Sequence, residues 1–192
     1  KLVRATRITY VGALGWELYV PWSDAPSVYA AIAESEPVHA GYHAMDSLRM
    51  EKAYRHWGHD ITDEDTPMEA GLSFTVDWNK PDGFIGREAL QEQRASGVRK
   101  RLGLFMLEDP EPLLYHDEPI WKDGKRVGHI TSGAFAHTLG KSLGFGYLTS
   151  NEPITRKAMR ESQFKIEIGD KMFDATCLLR APFDPDNARI LC

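Results

Sequence analysis

Ile120-Trp121-Lys122-Asp123-Gly124-Lys125-Arg126-Val127-Gly128 is the stretch on which the reading of the fold turns. Two short strand-forming runs face each other across Asp123-Gly124. That dipeptide accepts positive φ at both central positions of a type I′ turn, so a β-hairpin is expected. The surroundings repeat the pattern. Residues 102–107 form a continuous apolar run, and Phe164, Ile166 and Ile168 alternate with polar neighbours. Gly169-Asp170 reads as a turn, and residues 172–179 as a further strand. Several short strands punctuated by glycine predict a small antiparallel β-barrel, beginning where the composition shifts near residue 98.

Upstream of that shift, strand and helix mix without regular alternation. Residues 2–11 and 16–20 read as strands joined through residues 11–15. Residues 25–34 read as a helix that Ser23 or Asp24 could cap. A second helix is expected from about Met45, because Met50, Ala53, Tyr54 and Trp57 fall at helical spacing, with Gly58 placed to end it. Residues 72–78 read as a strand, and residues 87–95 as a short helix closed by Gly97. The fold class expected is α+β, with a ferredoxin-like α/β layer followed by the barrel.

Composition narrows the function. No run of eighteen apolar residues exists, which argues against a membrane helix. The formal charge of −5 is spread over interspersed signs, and the basic run Arg99-Lys100-Arg101 is short, so nucleic acid is not an expected partner. Two widely separated cysteines, Cys177 and Cys192, make no disulfide framework and fit a reducing compartment, either a bacterial cytoplasm or a mitochondrial matrix. The start at Lys1-Leu2-Val3-Arg4, already inside a strand pattern, leads us to expect a piece of something longer.

Few residue groups suggest chemistry on their own. His56 and His59 are spaced as metal ligands can be, but Gly58 lies between them and no second cluster exists, so no metal is expected. There is no phosphate-binding glycine loop and no nucleophile elbow, hence no self-contained flavin or nicotinamide domain. Glu17 follows Trp16 on a short strand whose partner carries Tyr10. A carboxylate beside aromatic rings can accept two hydrogen bonds from a flat heterocycle, and the plainer reading is an exposed strand residue. Arg49 could clamp a carboxylate or simply pair with Asp46 or Glu51.

A resemblance tips these choices. Tyr10-Val-Gly-Ala-Leu-Gly-Trp-Glu17, Asp46-Ser-Leu-Arg-Met-Glu51, Thr66-Pro-Met-Glu-Ala-Gly-Leu72, Phe84-Ile-Gly-Arg-Glu-Ala-Leu90 and Gly128-His-Ile-Thr-Ser-Gly133, followed by Thr138-Leu-Gly-Lys-Ser142, resemble blocks of the glycine cleavage T-proteins in the same order. These are folate-dependent aminomethyltransferases. Gly41-Tyr-His-Ala-Met-Asp-Ser-Leu48, Glu51-Lys-Ala-Tyr-Arg-His-Trp-Gly-His59 and Pro182-Phe-Asp-Pro-Asp-Asn187 are more similar to the sarcosine and dimethylglycine dehydrogenase branch. The regulatory subunit of pyruvate dehydrogenase phosphatase shares that build.

The resemblance implies tetrahydrofolate as the cofactor. FAD is expected only in an absent N-terminal domain of the parent protein. Residues 1–97 would be the later part of a T-protein-like folate-binding domain, and residues 98–192 its C-terminal β-barrel domain. Glu17 matches the glutamate that receives the pterin ring, and Tyr10 the aromatic residue beside the folate. Arg49 matches an arginine of the folate site that either touches ligand or orients a carboxylate. Trp57 stands where some relatives carry tyrosine, and Ala13 where T-proteins usually carry glutamate. The family's catalytic aspartate lies upstream, so this chain is expected to catalyse nothing alone. The expected partners are folate and a cover for an open sheet edge, either the missing N-terminal half or another chain or copy. The function implied is one-carbon transfer from an N-methyl amine to tetrahydrofolate, giving 5,10-methylenetetrahydrofolate. The alternatives are a non-catalytic regulatory module and a fragment of a stand-alone aminomethyltransferase.

Overall fold

A computed structural model describes residues 1–191; Cys192, one of the two cysteines weighed above, lies outside them. The barrel is present and closed. Its six strands are β3 (Lys100–Leu107), β4 (Pro119–Lys122), β5 (Lys125–Ala136), β6 (Lys141–Thr149), β7 (Phe164–Ile168) and β8 (Lys171–Leu178). All neighbours are antiparallel, in the order β3-β6-β5-β4-β7-β8, and β8 returns to pair with β3. Asp123 (φ 50°) and Gly124 (φ 73°) make the type I′ turn that the dipeptide announced.

Alternation explains the apolar run in β3. Phe105 and Leu107 point into the barrel with Ile120, Ile130, Phe164 and Ile166. Leu102 and Leu104 point outward and are buried beneath Met50, beside Phe145 and Tyr147 of β6. A strand buried on both faces needs no polar face, hence the unbroken run. Cys177 is a free thiol inside the barrel, and burial pushes its pKa up to about 12.

The first part is sparser. β1 (Arg4–Thr6) and β2 (Glu17–Tyr19) form a two-stranded antiparallel ribbon that pairs Thr6 with Glu17. The expected strand over residues 2–11 is cut to three residues. Ile8 N turns back to Thr6 O, and the Thr9 hydroxyl takes the amides of Val11 and Gly12, removing them from any ladder. Three helices follow, α1 (Ala25–Ala33), α2 (Tyr42–Glu51) and α3 (Arg87–Ser96). Asp24 sits at the cap position of α1 without a capping bond, its carboxylate instead paired with Lys1 at 2.8 Å.

Two expectations need correction. α2 ends at Glu51, well before Trp57. Ala53 takes φ 55°, with its amide bonded to Met50 O and that of Tyr54 to Arg49 O, which closes the helix in a Schellman motif. A left-handed alanine carries no sequence signal, whereas Gly58 does. Residues 72–78 are not a strand. The amides of Ala70 and Leu72 bond to Thr66 O and Pro67 O, and a 3₁₀ turn follows at Ser73–Thr75.

Candidate functional site

Tyr10, Glu17 and Arg49 lie on three segments: Glu17 on β2, Arg49 on α2, and Tyr10 in the loop after the shortened β1, not on the strand paired with β2 as expected from the sequence. Glu17 opens β2 and is exposed. Its Oε2 accepts the Tyr19 hydroxyl at 3.1 Å, and Oε1 has no hydrogen-bond donor among the described residues. Trp16 beside it is 60 % exposed. Tyr10 is half-buried. Its hydroxyl donates to Arg55 O at 2.9 Å, and its ring stacks with Tyr54, centroids 6.2 Å apart. Burial raises the Tyr10 phenol pKa, against the opposing pull of the Arg49 guanidinium. No hydrogen bond joins Glu17 to Tyr10 or Arg49 among the described residues.

Arg49 is 2 % exposed, and each of its three nitrogens donates to a protein atom. Nε donates to Asp46 Oδ1 at 3.0 Å. Nη1 donates to Asp60 Oδ2 at 2.8 Å and to Tyr54 O at 3.2 Å, and Nη2 to Ser132 Oγ at 3.0 Å. The planar fork thus reaches its own helix, the loop after it and strand β5 at once, which an ammonium could not do.

Asp60 is the second centre of this network, and the sequence reading did not single it out; it opens the acidic stretch at residues 60–65, where nothing local marks one carboxylate over another. It is fully buried. Oδ2 also accepts the His56 amide at 2.8 Å, while Oδ1 accepts the hydroxyls of Thr131 at 2.7 Å and Ser132 at 2.6 Å. Adjacent strand residues ordinarily point to opposite faces. Here a bulge between Ile130 and Ser132 breaks the alternation, and both hydroxyls reach one carboxylate. This accounts for the block Gly128-His-Ile-Thr-Ser-Gly133.

The block at residues 46–51 is resolved in the same way. Ser47 Oγ donates to Phe135 O at 2.6 Å, Met50 enters the apolar cluster under β3, and Glu51 Oε1 accepts the Thr138 amide at 2.8 Å. One face of α2 is therefore a polar clamp on β5 and the loop beyond it. Thr66 and Glu69 form a reciprocal capping box: the Thr66 amide bonds to Glu69 Oε2, and the Glu69 amide to Thr66 Oγ1.

The histidines come close together, with the ring centroids of His56 and His59 4.6 Å apart and Tyr42 Oη 3.3 Å from His56 Nε2. Among the described residues no group of three or more His, Cys, Asp or Glu is arranged to hold a metal ion. Trp57 is exposed beside this pair, and Ala13 is exposed in the turn. No helix of the described residues is long and apolar enough to cross a membrane.

Two family models match the chain, the GCVT N-terminal domain over residues 1–80 and the glycine cleavage T-protein C-terminal barrel domain over residues 99–184. Mitochondrial sarcosine dehydrogenase from Homo sapiens is 40 % identical over 195 residues, covering 98 % of this chain and 21 % of that protein. The mitochondrial pyruvate dehydrogenase phosphatase regulatory subunit from Mus musculus is 33 % identical over 192 residues, covering 92 % and 22 %. The chain thus spans about a fifth of the length of these relatives. The crystal structure of the glycine cleavage system aminomethyltransferase T from Bartonella henselae superposes with a TM-score of 0.79 at 23 % identity, covering 93 % of this chain and 49 % of that one, which establishes the shared fold. The barrel, the ordered blocks and both family matches together place the chain in the glycine cleavage T-protein family, in a part similar to the C-terminal region of the sarcosine and dimethylglycine dehydrogenases.

Proposed function

We propose that this chain is the tetrahydrofolate-holding region of a sarcosine dehydrogenase-like flavoenzyme, with residues 1–97 the later part of its folate domain and residues 98–192 the barrel. The observation that carries the reading is Glu17, an exposed carboxylate with an unpartnered oxygen between Trp16 and Leu18. Such a group fits the adjacent N–H donors of a pterin, accepting two charge-assisted hydrogen bonds while an indole shields one side. Tyr10 is assigned the place beside the folate, as the family block implies. Arg49 acts on the site by orienting Asp46 and Asp60, since its donors are already engaged.

Bound tetrahydrofolate supplies the nitrogens that capture a one-carbon unit. This chain's residues supply position, which accounts for much of the gain when water competes for a reactive carbon. Asp60 is buried and saturated with donors, so it is no free general base. We therefore assign the chain a holding role without chemistry of its own. An N-methyl amine substrate and an FAD domain in the parent protein belong to the same proposal, as does a reducing compartment, either a mitochondrial matrix or a bacterial cytoplasm; mitochondrial relatives are in keeping with the first.

The ribbon edge and the exposed side chains Trp22, Tyr29 and Ile32 call for a cover. The other half of the same fold is the candidate, because this chain covers 49 % of the aligned aminomethyltransferase. Protection of Trp22 from acrylamide quenching on coexpression with that half supports this, and unchanged quenching refutes it.

Titration with 5-formyltetrahydrofolate, followed by tryptophan fluorescence, tests the main reading. We expect saturable binding that weakens about tenfold or more in Glu17→Ala, the loss typical of hydrogen bonds to a charged group. A folded chain that does not bind overturns it. The similarity to the phosphatase regulatory subunit favours a second reading, an interaction module without folate, and the same null result would move the assignment there.

A further inference from the structure

After β8 the chain leaves the barrel and crosses back past the end of α2 to the ribbon. Its contacts there are specific. Phe183 N donates to Glu51 O at 3.2 Å, Leu14 N donates to Arg189 O at 3.1 Å, and Arg7 Nη2 donates to Ile190 O at 3.3 Å. Asp184 organises this return. Its carboxylate accepts the amides of Ala188 at 2.9 Å and Arg189 at 3.3 Å, which sets the start of a short terminal helix at Ala188–Leu191. The same carboxylate accepts Lys52 Nζ at 3.2 Å, and the Asp184 carbonyl accepts it at 2.5 Å.

Lys52 is only 3 % exposed, and its stem runs against the turn between Tyr10 and Glu17. A Cβ built on Gly12 would lie 2.2 Å from Lys52 Cγ and 2.4 Å from Cδ. Gly12 also holds φ 74°, where side-chain-bearing residues are strained. The turn that spaces Tyr10 from Glu17 is therefore pressed on one side by Lys52 and hydrogen-bonded through Leu14 to the tail. Left alone, a short glycine-bearing turn samples many shapes, and a ligand that needs one of them binds less tightly.

We propose that residues 182–190 are a strap, locked by Lys52 on Asp184, that holds the turn at residues 11–15 in the shape the folate site requires. Lys52 and Asp184 are positioning residues in this sense, with no contact to the ligand. The inference rests on the assignment of Glu17 and Tyr10 given above.

The test is a 5-formyltetrahydrofolate titration of Lys52→Met, Asp184→Asn, Lys52→Arg and Lys100→Met, with amide hydrogen exchange read at Leu14 and at Phe145 of the barrel. Lys52→Met keeps the stem against Gly12 and removes only the ammonium. We expect Kd to rise about tenfold in Lys52→Met and Asp184→Asn, with Leu14 exchanging faster and Phe145 still protected. Lys52→Arg keeps a donor and should stay within about threefold of the parent chain. Lys100→Met breaks a pair with Asp65, neither member of which bonds the turn or the tail, and should leave Kd unchanged whatever it does to stability. Unaltered Kd and Leu14 protection in Lys52→Met and Asp184→Asn, with the parent chain binding, overturn the strap and leave the Glu17 reading standing. A parent chain that does not bind overturns the folate reading and the strap's role with it. Asp184→Asn decides the matter if Lys52→Met fails to fold.

Discussion

Arg49 Nη1 donates to Asp60 Oδ2 at 2.8 Å, and both side chains are withdrawn from water. The pair is viable because each member is satisfied several times over. Asp46, Tyr54 O and Ser132 accept three further Arg49 donors, and the His56 amide with two hydroxyls saturates Asp60. A buried ion pair of this kind is weak evidence for net stability, but breaking it is costly because the survivor keeps an uncompensated charge.

Asp60→Ala should therefore destabilise the fold by about 3–5 kcal/mol, read from urea unfolding. Arg49→Lys should also destabilise, since one ammonium cannot serve a helix, a loop and a strand together. A loss below about 1 kcal/mol for Asp60→Ala would remove the network from its central place.

Gly128 pairs with Leu148, where β5 passes close to β6. A Cβ there would sit 1.8 Å from the Tyr147 carbonyl oxygen, a backbone atom held in the ladder. Overpacking costs about 1–3 kcal/mol where side chains can yield, so Gly128→Ala should cost more than about 3 kcal/mol. Gly41, with nothing within 4 Å of a built Cβ, provides the contrast, and Gly41→Ala should stay within about 1 kcal/mol. Equal midpoints in urea for the two variants would contradict this.

Asp65 sets a pH dependence. Partial burial pushes its pKa up, but the Lys100 ammonium at 2.6 Å and the Thr62 amide outweigh that, and the carboxyl is held below the ordinary aspartate value of about 4. The folded pKa is thus lower than the unfolded one. The contribution is fully present above about pH 4 and is lost as pH falls through the folded pKa beneath it. The stability gap between the parent chain and Asp65→Asn should be constant from pH 7 to about pH 5 and close progressively below about pH 4. A gap that widens on acidification would reverse the assignment.

Much of the architecture was readable because its causes are local. Asp123-Gly124 and Gly169-Asp170 announce turns through the conformations those residues tolerate, and both pairs take positive φ. The barrel, its antiparallel strands and the helix at Arg87–Ser96 follow from such signals. The errors have local causes too. Gly58 looked like a helix end, while Ala53 took the left-handed turn instead because the returning amides of Ala53 and Tyr54 closed α2 there. Thr9 shortened β1 with a hydroxyl that competes with the ladder.

The site divides along the same line. Tyr10, Glu17 and Arg49 stood out as residue types in family blocks, but their surroundings did not. Asp60 meets Thr131 and Ser132 across 71 and 72 positions, and Lys52 meets Asp184 across 132. Periodicity and turn chemistry act over a few residues and are written along the chain. The partner of a buried charge is chosen by whatever the closed barrel and its returning tail bring within about 3 Å, a selection made only when distant segments share one excluded volume.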